Sequence, residues 1–453
     1  MKFLFASWGY PYNWGYAHYS FKQKRLCSKT TLPILAKTIQ PDRIDIFGTD
    51  SVLGDHRIAQ TYNKIKELET YSELINIAKK SFEEYIANST VIEENEHQHN
   101  LKDLLNQYEV QYEVHILPNV GTYYKNQNFG GISFKGHPND FKISLYWKLY
   151  KVLKEYTDKE SYKFFIDLTH GLNYMPVFVQ RVIFRIAELI RLVKPVSITS
   201  LNSEPYPIGY SCHDEKPYEE CLNQCPNLEI FEIEKISLKK ILGAKAYSAG
   251  ESLQDVLNNL KNKAQLSEED LKTVRESLVF LSAVLNGCPA VLYLYFPKLN
   301  ELEKIVEKIF QKYKSETKIN IRKNEVEVKR FFSLPEILEP VIEAMILARF
   351  MEDLGFSRKN IVSIDDLYEA LNKVFKDTIK YEFIKKDIQR ILDRDASQGP
   401  DDKRNTLAHS CLLSQHIDIV NNDDEINPSI TLNEFAKEKI EKILLEELGF
   451  KVT

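Results

Sequence analysis

Residues 163–173 read KFFIDLTHGLN. Lys163–Asp167 is a near-continuous apolar run closed by a carboxylate. Thr169, His170 and Gly171 break the run, and from Leu172 to Val193 the apolar positions recur at helical spacing. A buried-type strand, a polar glycine loop and a helix form the repeating unit of a parallel α/β sheet covered on both faces. Gly171 permits close backbone approach. Thr169, His170 and Asn173 place donors beside a helix N-terminus, where an anionic phosphate can be held. A plainer reading is that Asp167 and Thr169 merely cap the helix.

Outward from this stretch the unit repeats. Lys2–Ala6, Arg43–Gly48, Tyr112–Leu117 and Val196–Leu201 read as further strands. Helical sequence is expected from Ser28 to about Ile39, over Asp55–Asn106 and over about Asp140–Tyr156. Residues 1–235 are therefore expected to form a Rossmann-like α/β domain with a parallel sheet. In such sheets ligands sit beyond the carboxyl ends of the strands. Three polar loops fall there: Trp8, Gly9 and Asn13 in the first, Pro118, Asn119 and Gly121 in the second, and Thr169–Asn173 in the third. Tyr10, Tyr12, Trp14 and Tyr16 could stack on bases or simply pack under a turn.

Beyond Ser237 helical periodicity dominates: Leu253–Lys263, Glu268–Leu285, Leu299–Tyr313, Leu334–Leu354, Ile364–Phe375, Tyr381–Leu392 and Leu432–Leu448. A hairpin is expected at Lys318–Phe331. This divides the second half into a helical intermediate region, 236–330, and an all-α domain, 331–453. In the latter, Arg404-Asn-Thr-Leu-Ala-His409 follows the polar segment Asp395–Lys403, which places Arg404 at a helix start. The chemistry it suits is RNA cleavage. Arg404 can clamp a scissile phosphate, His409 can move a proton near neutral pH, and Asn405 can orient either. The RNA 2′-hydroxyl would be the nucleophile, so that chemistry asks for no metal. With 10 His in 453 residues such a pair is weak taken alone; a solvent-facing Arg and a satisfied His describe it equally.

Composition sets the outer bounds. At 453 residues the chain is too long for one compact core, and 43% hydrophobic with 28% charged residues is ordinary globular composition. A net charge of −5 means that any nucleic acid binds at a local site and not over a basic surface. Six Cys make no disulfide scaffold. Cys212, His213, Cys221 and Cys225 lack the paired Cys-x2-Cys knuckles of zinc sites, which leaves zinc, free buried thiols or a disulfide as readings; Cys27, Cys288 and Cys411 read as isolated core residues. Met175–Val193 and Pro335–Phe356 are interrupted by Arg181, Arg185, Arg191, Glu339, Glu343 and Arg349, so both are expected to be amphipathic helices and not membrane spans. With no signal-peptide pattern at the N-terminus, a soluble cytoplasmic protein is expected. Walker A, HExxH and GxSxG motifs do not occur.

Asp167-Leu-Thr-His-Gly171 on a Rossmann-like half, with Arg404-x4-His409 in a helical tail, resembles the CRISPR-associated CARF–HEPN ribonucleases of type III systems, the DxTHG group. The likeness covers the whole chain in architecture and motif order. Asp167, Thr169, His170 and Gly171 fit the sensor motif, and Arg404, Asn405 and His409 fit the nuclease motif. The Pro118–Gly121 loop also looks like that family's sensor. The Trp/Tyr-rich first loop is peculiar to this sequence. The resemblance implies a CARF sensor at 1–235, a HEPN nuclease at 331–453 and a homodimer, with possible assembly to a hexamer. It implies metal-independent cleavage of single-stranded RNA, without a catalytic cofactor, switched on by cyclic oligoadenylate, commonly the tetra-adenylate. The ligand would meet Trp8, Gly9, Asn13, Pro118, Asn119, Gly121, Thr169, His170, Gly171 and Asn173. Two other classes stay open: a ligand-responsive transcription regulator with a helix-turn-helix hidden in Leu253–Leu285, and a toxin that cuts RNA without a ligand.

Overall fold

Gln111–Leu117, Arg43–Thr49, Lys2–Ser7, Tyr162–Asp167 and Val196–Ser203 lie side by side in that order, all parallel. Phe3, Phe5, Ile44, Ile46, Ile166 and Ile198 are buried within them, as strands covered on both faces require. The chain order reverses between Lys2–Ser7 and Tyr162–Asp167: earlier crossovers step one way and later ones the other. That is the switch point of a doubly wound sheet, with its crevice beyond Ser7 and Asp167. The computed structural model describes residues 1–54, 67–93, 97–123, 131–207, 225–248, 250–322, 325–393, 402–420 and 428–452. Cys212, His213 and Cys221, most of Asp395–Lys403 and the acidic Asn421–Glu425 lie outside the described residues.

The parallel core is as expected, and further strands make the whole sheet mixed. Asn227–Ser237 runs antiparallel to Val196–Ser203, and Ala17–Phe21, Lys24–Ser28, Thr90–Ile92 and Gln98–Asn100 extend the sheet to ten strands. These added strands have one wet face or lie at the edge, so they lack the apolar runs that marked the others. The region expected as helical, Asp55–Asn106, contains the helices Tyr71–Asn88 and Leu101–Gln107 with two of those short strands between them. A capping box at Thr70 and Glu73 starts the first helix.

The second half docks on the sheet's outer helices through Leu338–Glu352, which packs against Asn139–Leu153, Met175–Arg191, Glu268–Asn286 and Leu299–Ser315. That helix is buried on almost every side, not amphipathic as expected. Its Glu343 is fully buried; it accepts from Arg185 Nε (3.0 Å) and Tyr146 (3.0 Å), and Tyr247 also donates to it. Two charges that interrupt the long apolar stretches thus answer one another across this interface, as burial demands. Among the described residues no helix is long and apolar enough to cross a membrane.

The hairpin Thr317–Arg322 and Glu325–Arg330 forms as expected. Its second strand also pairs in parallel with Gly131–Lys135, making a second sheet that joins the two halves. Arg330, at its end, is fully buried against Asp50 and donates to Asn119 O (2.7 Å). Tyr71 Oη also donates to Asp50 (2.6 Å). The C-terminal region is not all-α: Val362–Ser363, Ser429–Leu432 and Ile417–Val420 form a small sheet. Cys27, Cys288 and Cys411 are buried, but the last two are not isolated, their sulfurs lying 2.7 Å apart.

Candidate functional site

At the switch point two loops are stitched together. The N–H of Gly9 donates to His170 O (2.8 Å). A Cβ on Gly9 would collide with Leu172, and one on Gly171 would collide with Pro176 and lie 2.6 Å from Ser7 Oγ, so both positions need glycine for close approach. Asp167 is buried and spends both oxygens on the scaffold, accepting from Thr31 Oγ1 (2.5 Å) and from Thr169 N–H (3.1 Å). Thr169 Oγ1 accepts from Ser203 N–H (3.1 Å), which leaves its hydroxyl proton to donate elsewhere. The helix begins at Met175, later than the expected Leu172, with Pro176 in its first turn.

His170 accepts the Thr31 N–H at Nε2 (3.2 Å), which puts its ring proton on Nδ1. Burial pushes the imidazole down to about 4, and the nearby Asp167 carboxylate only partly opposes this. At neutral pH it is therefore an uncharged donor, its ring lying on Trp14 with centroids 4.2 Å apart.

A cavity of about 540 Å³ opens on these loops, within the ~300–1,000 Å³ range of small-molecule sites. Asn13, Thr169 and His170 line it, together with Trp14, Tyr19 and Asn202–Tyr206. Gly9 and Gly171 lie in the packing beneath. Trp8, expected at the ligand, is buried in the core, edge-on to Trp14 at 5.3 Å. Asn173 is an exposed left-handed turn residue outside the lining. The second loop does not reach the cavity. Its strand is three places from Tyr162–Asp167, about 14 Å at the ~4.8 Å spacing of neighbouring strands. Asn119 there is a buried joint, bonded to Asp50 and Ser51 (2.9 and 2.8 Å), and Gly121 begins the strand Gly121–Tyr123. Asn202–Tyr206 were missed, although the rule that picked the other loops also points to the end of Val196–Leu201.

The second constellation stands on the short helix Lys403–Ala408, capped by Asp402, which accepts the Asn405 N–H (2.7 Å). His409 ends the helix, and left-handed Ser410 and Cys411 (φ 53° and 58°) turn the chain directly after it. Two successive non-glycine residues there store strain of a kind that gathers at functional sites. His409 Nδ1 lies 3.1 Å from Oδ1 of Asp387, a buried residue on the helix Tyr381–Leu392. A carboxylate only accepts, so the shorter contact calls for a proton on Nδ1, although Arg390 Nη1, a donor, also lies 3.3 Å from that nitrogen. Arg390, 3.3 Å from the same Oδ1, offsets its charge. Asp387 was not anticipated, because nothing in sequence spacing links it to His409. Arg404 is exposed, and none of the hydrogen bonds of His409 described above reaches it. Five helical residues turn by about 140°, so the motif's two ends face apart.

Other chemistries fit less well. Asp45, Glu113 and His115 come close enough to share a metal ion. Arg43 already fills that role, pairing with Asp45 and Glu113 at 2.8 Å each. Leu253–Ala264 and Glu268–Asn286 do form two helices around a short turn, but the second is largely buried and has no face free for a DNA groove.

Residues 3–205 match the family described as CRISPR system endoribonuclease Csx1, CARF domain. This chain carries a Csx1-type CARF domain. Residues 3–205 hold the switch-point cleft, from Asn13 to Pro205, with only Tyr206 and Leu228 of its lining beyond them. Over 401 residues the chain is 24% identical to the CRISPR system endoribonuclease Csx1 of Methanocaldococcus jannaschii, covering 86% of this chain and 75% of that protein. That likeness runs past the CARF domain into the helical region. The solved structure of Enterococcus italicus Csm6 bound to cyclic hexa-2′-fluoro-hexa-dAMP spans 99% of this chain and 94% of its own at 11% identity. Its TM-score of 0.26 is too low to carry an argument.

Proposed function

We propose that the protein is an endoribonuclease whose CARF domain receives a cyclic oligoadenylate, with the tetra-adenylate as the expected ring, and whose helical region cuts single-stranded RNA in type III CRISPR defence. The observation that carries this reading is the pairing of His409 with buried Asp387 on a chain that also bears the switch-point cleft. The cleft offers adenines aromatic surfaces, Trp14, Tyr19 and Tyr206, and offers phosphates neutral donors, the Thr169 hydroxyl and the His170 Nδ1–H. Asn13 is placed to join them.

In the helical region, Arg404 binds the scissile phosphate and steadies its developing charge. The RNA 2′-oxygen attacks phosphorus and gives up its proton to a base. The bond from phosphorus to the 5′-oxygen breaks, and an imidazolium His409 protonates that leaving oxygen through Nε2. The products carry a 2′,3′-cyclic phosphate and a 5′-hydroxyl, and no step calls on a metal. Asn405 is assigned to orienting Arg404 or the phosphate. Since Arg404 and His409 face apart, a complete centre draws on two chains in a homodimer. Apolar Ile379, just before Asp387's helix, and Phe383, on it, are 82% and 58% exposed and supply surface for such a pairing. Two-fold symmetry would also suit a ring-shaped activator, and dimers could assemble further into a hexamer. The domain limits in this reading are 1–235, 236–330 and 331–453.

The test is RNA cleavage by the full chain with cyclic tri-, tetra- or hexa-adenylate, each with and without EDTA. Ring-dependent, EDTA-resistant cleavage supports the reading. Cleavage indifferent to every ring favours a ligand-independent toxin, and duplex-DNA binding without RNA loss favours a regulator.

A further inference from the structure

A second cavity, about 90 Å³, lies at the edge strand Gln111–Leu117, between it and the helices Tyr71–Asn88, Asn139–Leu153 and Leu299–Ser315. Pro118, placed by sequence with the ligand loops, lines this cavity instead. Three lysines converge on it, Lys148, Lys151 and Lys314. On the same stretch Lys142 pairs with Glu339 (2.6 Å) and Lys154 with Glu303 (3.2 Å). Lys148, Lys151 and Lys314 have no carboxylate within ion-pair distance among the described residues; Glu113 and Glu307 act on them only from farther away. Burial, with Lys151 and Lys314 adding repulsion, pushes the Lys148 ammonium down to about 8. Tyr313 lines the same cavity, and its buried hydroxyl has no hydrogen-bond partner there. Lys148 is half-buried and Lys151 and Lys314 are exposed at the rim, so three cations without a counter-charge stand beside a buried hydroxyl that nothing answers. One small oxyanion with several acceptor atoms would answer all of them. The volume suits a group the size of a few waters, each about 30 Å³ in the liquid.

We propose that this cavity is a binding site for a phosphate-class oxyanion, held by Lys148, Lys151, Lys314 and Tyr313 Oη. Its position gives it a consequence. The lysines come from a CARF helix and from the intermediate helix Leu299–Ser315, so the anion pins the two regions together independently of the cleft.

The test is calorimetric titration of the full chain with inorganic phosphate and, separately, with adenosine 5′-monophosphate, against chloride at matched ionic strength. Wild type should show saturable phosphate binding that Lys148→Met with Lys314→Met weakens at least tenfold. Tyr313→Phe, which removes only the hydroxyl, should weaken it severalfold while leaving the circular dichroism spectrum unchanged. Tighter binding of phosphate identifies the free ion as the occupant; tighter binding of the nucleotide identifies a phosphomonoester end. No saturable heat in wild type, or isotherms unchanged in a folded double variant, would overturn the site. Because phosphate could also enter the CARF cleft, Thr169→Val serves as the control and should leave this isotherm as it is.

Discussion

The switch-point cleft is closed by bonds within one chain, Gly9 to His170, Thr31 to Asp167 and Ser203 to Thr169. Arg404 and His409 share no such bond, and beside them Asp387 Oδ2 is buried without a partner. In the proposed reading, one centre is finished in the isolated chain and the other is half-made. A receptor site gains from being rigid, because less ordering entropy is lost on binding. A reactive site that must stay silent gains from lacking a part until something supplies it. A ligand can shift such a balance only by binding one arrangement more tightly than another.

The sharpest way to break this contrast is His409→Ala. Cleavage should fall by about 10²–10⁴, the share a general acid–base group supplies, with activator affinity unchanged by calorimetry. Asp387→Asn should cost about 10–100-fold in kcat, a part of that share, with KM held; a change in KM alone would make Asp387 structural. The joint between the regions comes next. Arg330→Met leaves Asp50 buried and unpaired, and losing one partner of a buried pair costs ~3–5 kcal/mol. Thermal unfolding should show that loss, with Asp50→Leu restoring part of it in the double variant. Within the cleft, Thr169→Val strips the Ser203 N–H of its acceptor, a loss of ~1–3 kcal/mol, and should weaken activator binding while leaving the basal cleavage rate alone.

The smallest effect is on pH dependence. Folding holds His170 neutral down to about pH 4, whereas its ordinary value is 6.5. Between those values the unfolded chain binds more protons, so stability falls as pH drops through that window. Melting scans at pH 7 and pH 5 should show a smaller loss for His170→Gln than for wild type.

The central strands were legible because both their faces are buried, which writes unbroken apolar runs into Phe3–Ala6 and Phe164–Ile166. The wet-faced strands, Ala17–Phe21 and Asn227–Ser237, carry no such mark. The loops at the switch point were found by the rule about strand ends, yet that rule names every carboxyl-end loop alike. Only strand order tells that Pro118–Gly121 stands too far away and that Asn202–Tyr206 stand near. Trp8 looked like a ligand-facing aromatic and is core, because its loop folds back under Trp14. In the helical region Arg404 and His409 were visible as a motif, but Asp387 becomes the neighbour of His409 only through packing. Glu343 was read as a sign of an amphipathic face; its buried partner Arg185 lies 158 residues away in sequence.

The most direct measurement is single-turnover cleavage of a fluorescent RNA by purified full-length protein, with and without cyclic tetra-adenylate, in wild type and in an equimolar mix of Arg404→Ala and His409→Ala chains. Activation by the ring, and partial activity regained in the mixed dimers though each variant alone is dead, is the predicted result. Full ring-independent activity, or ring-activated cleavage that survives in His409→Ala alone, would contradict it.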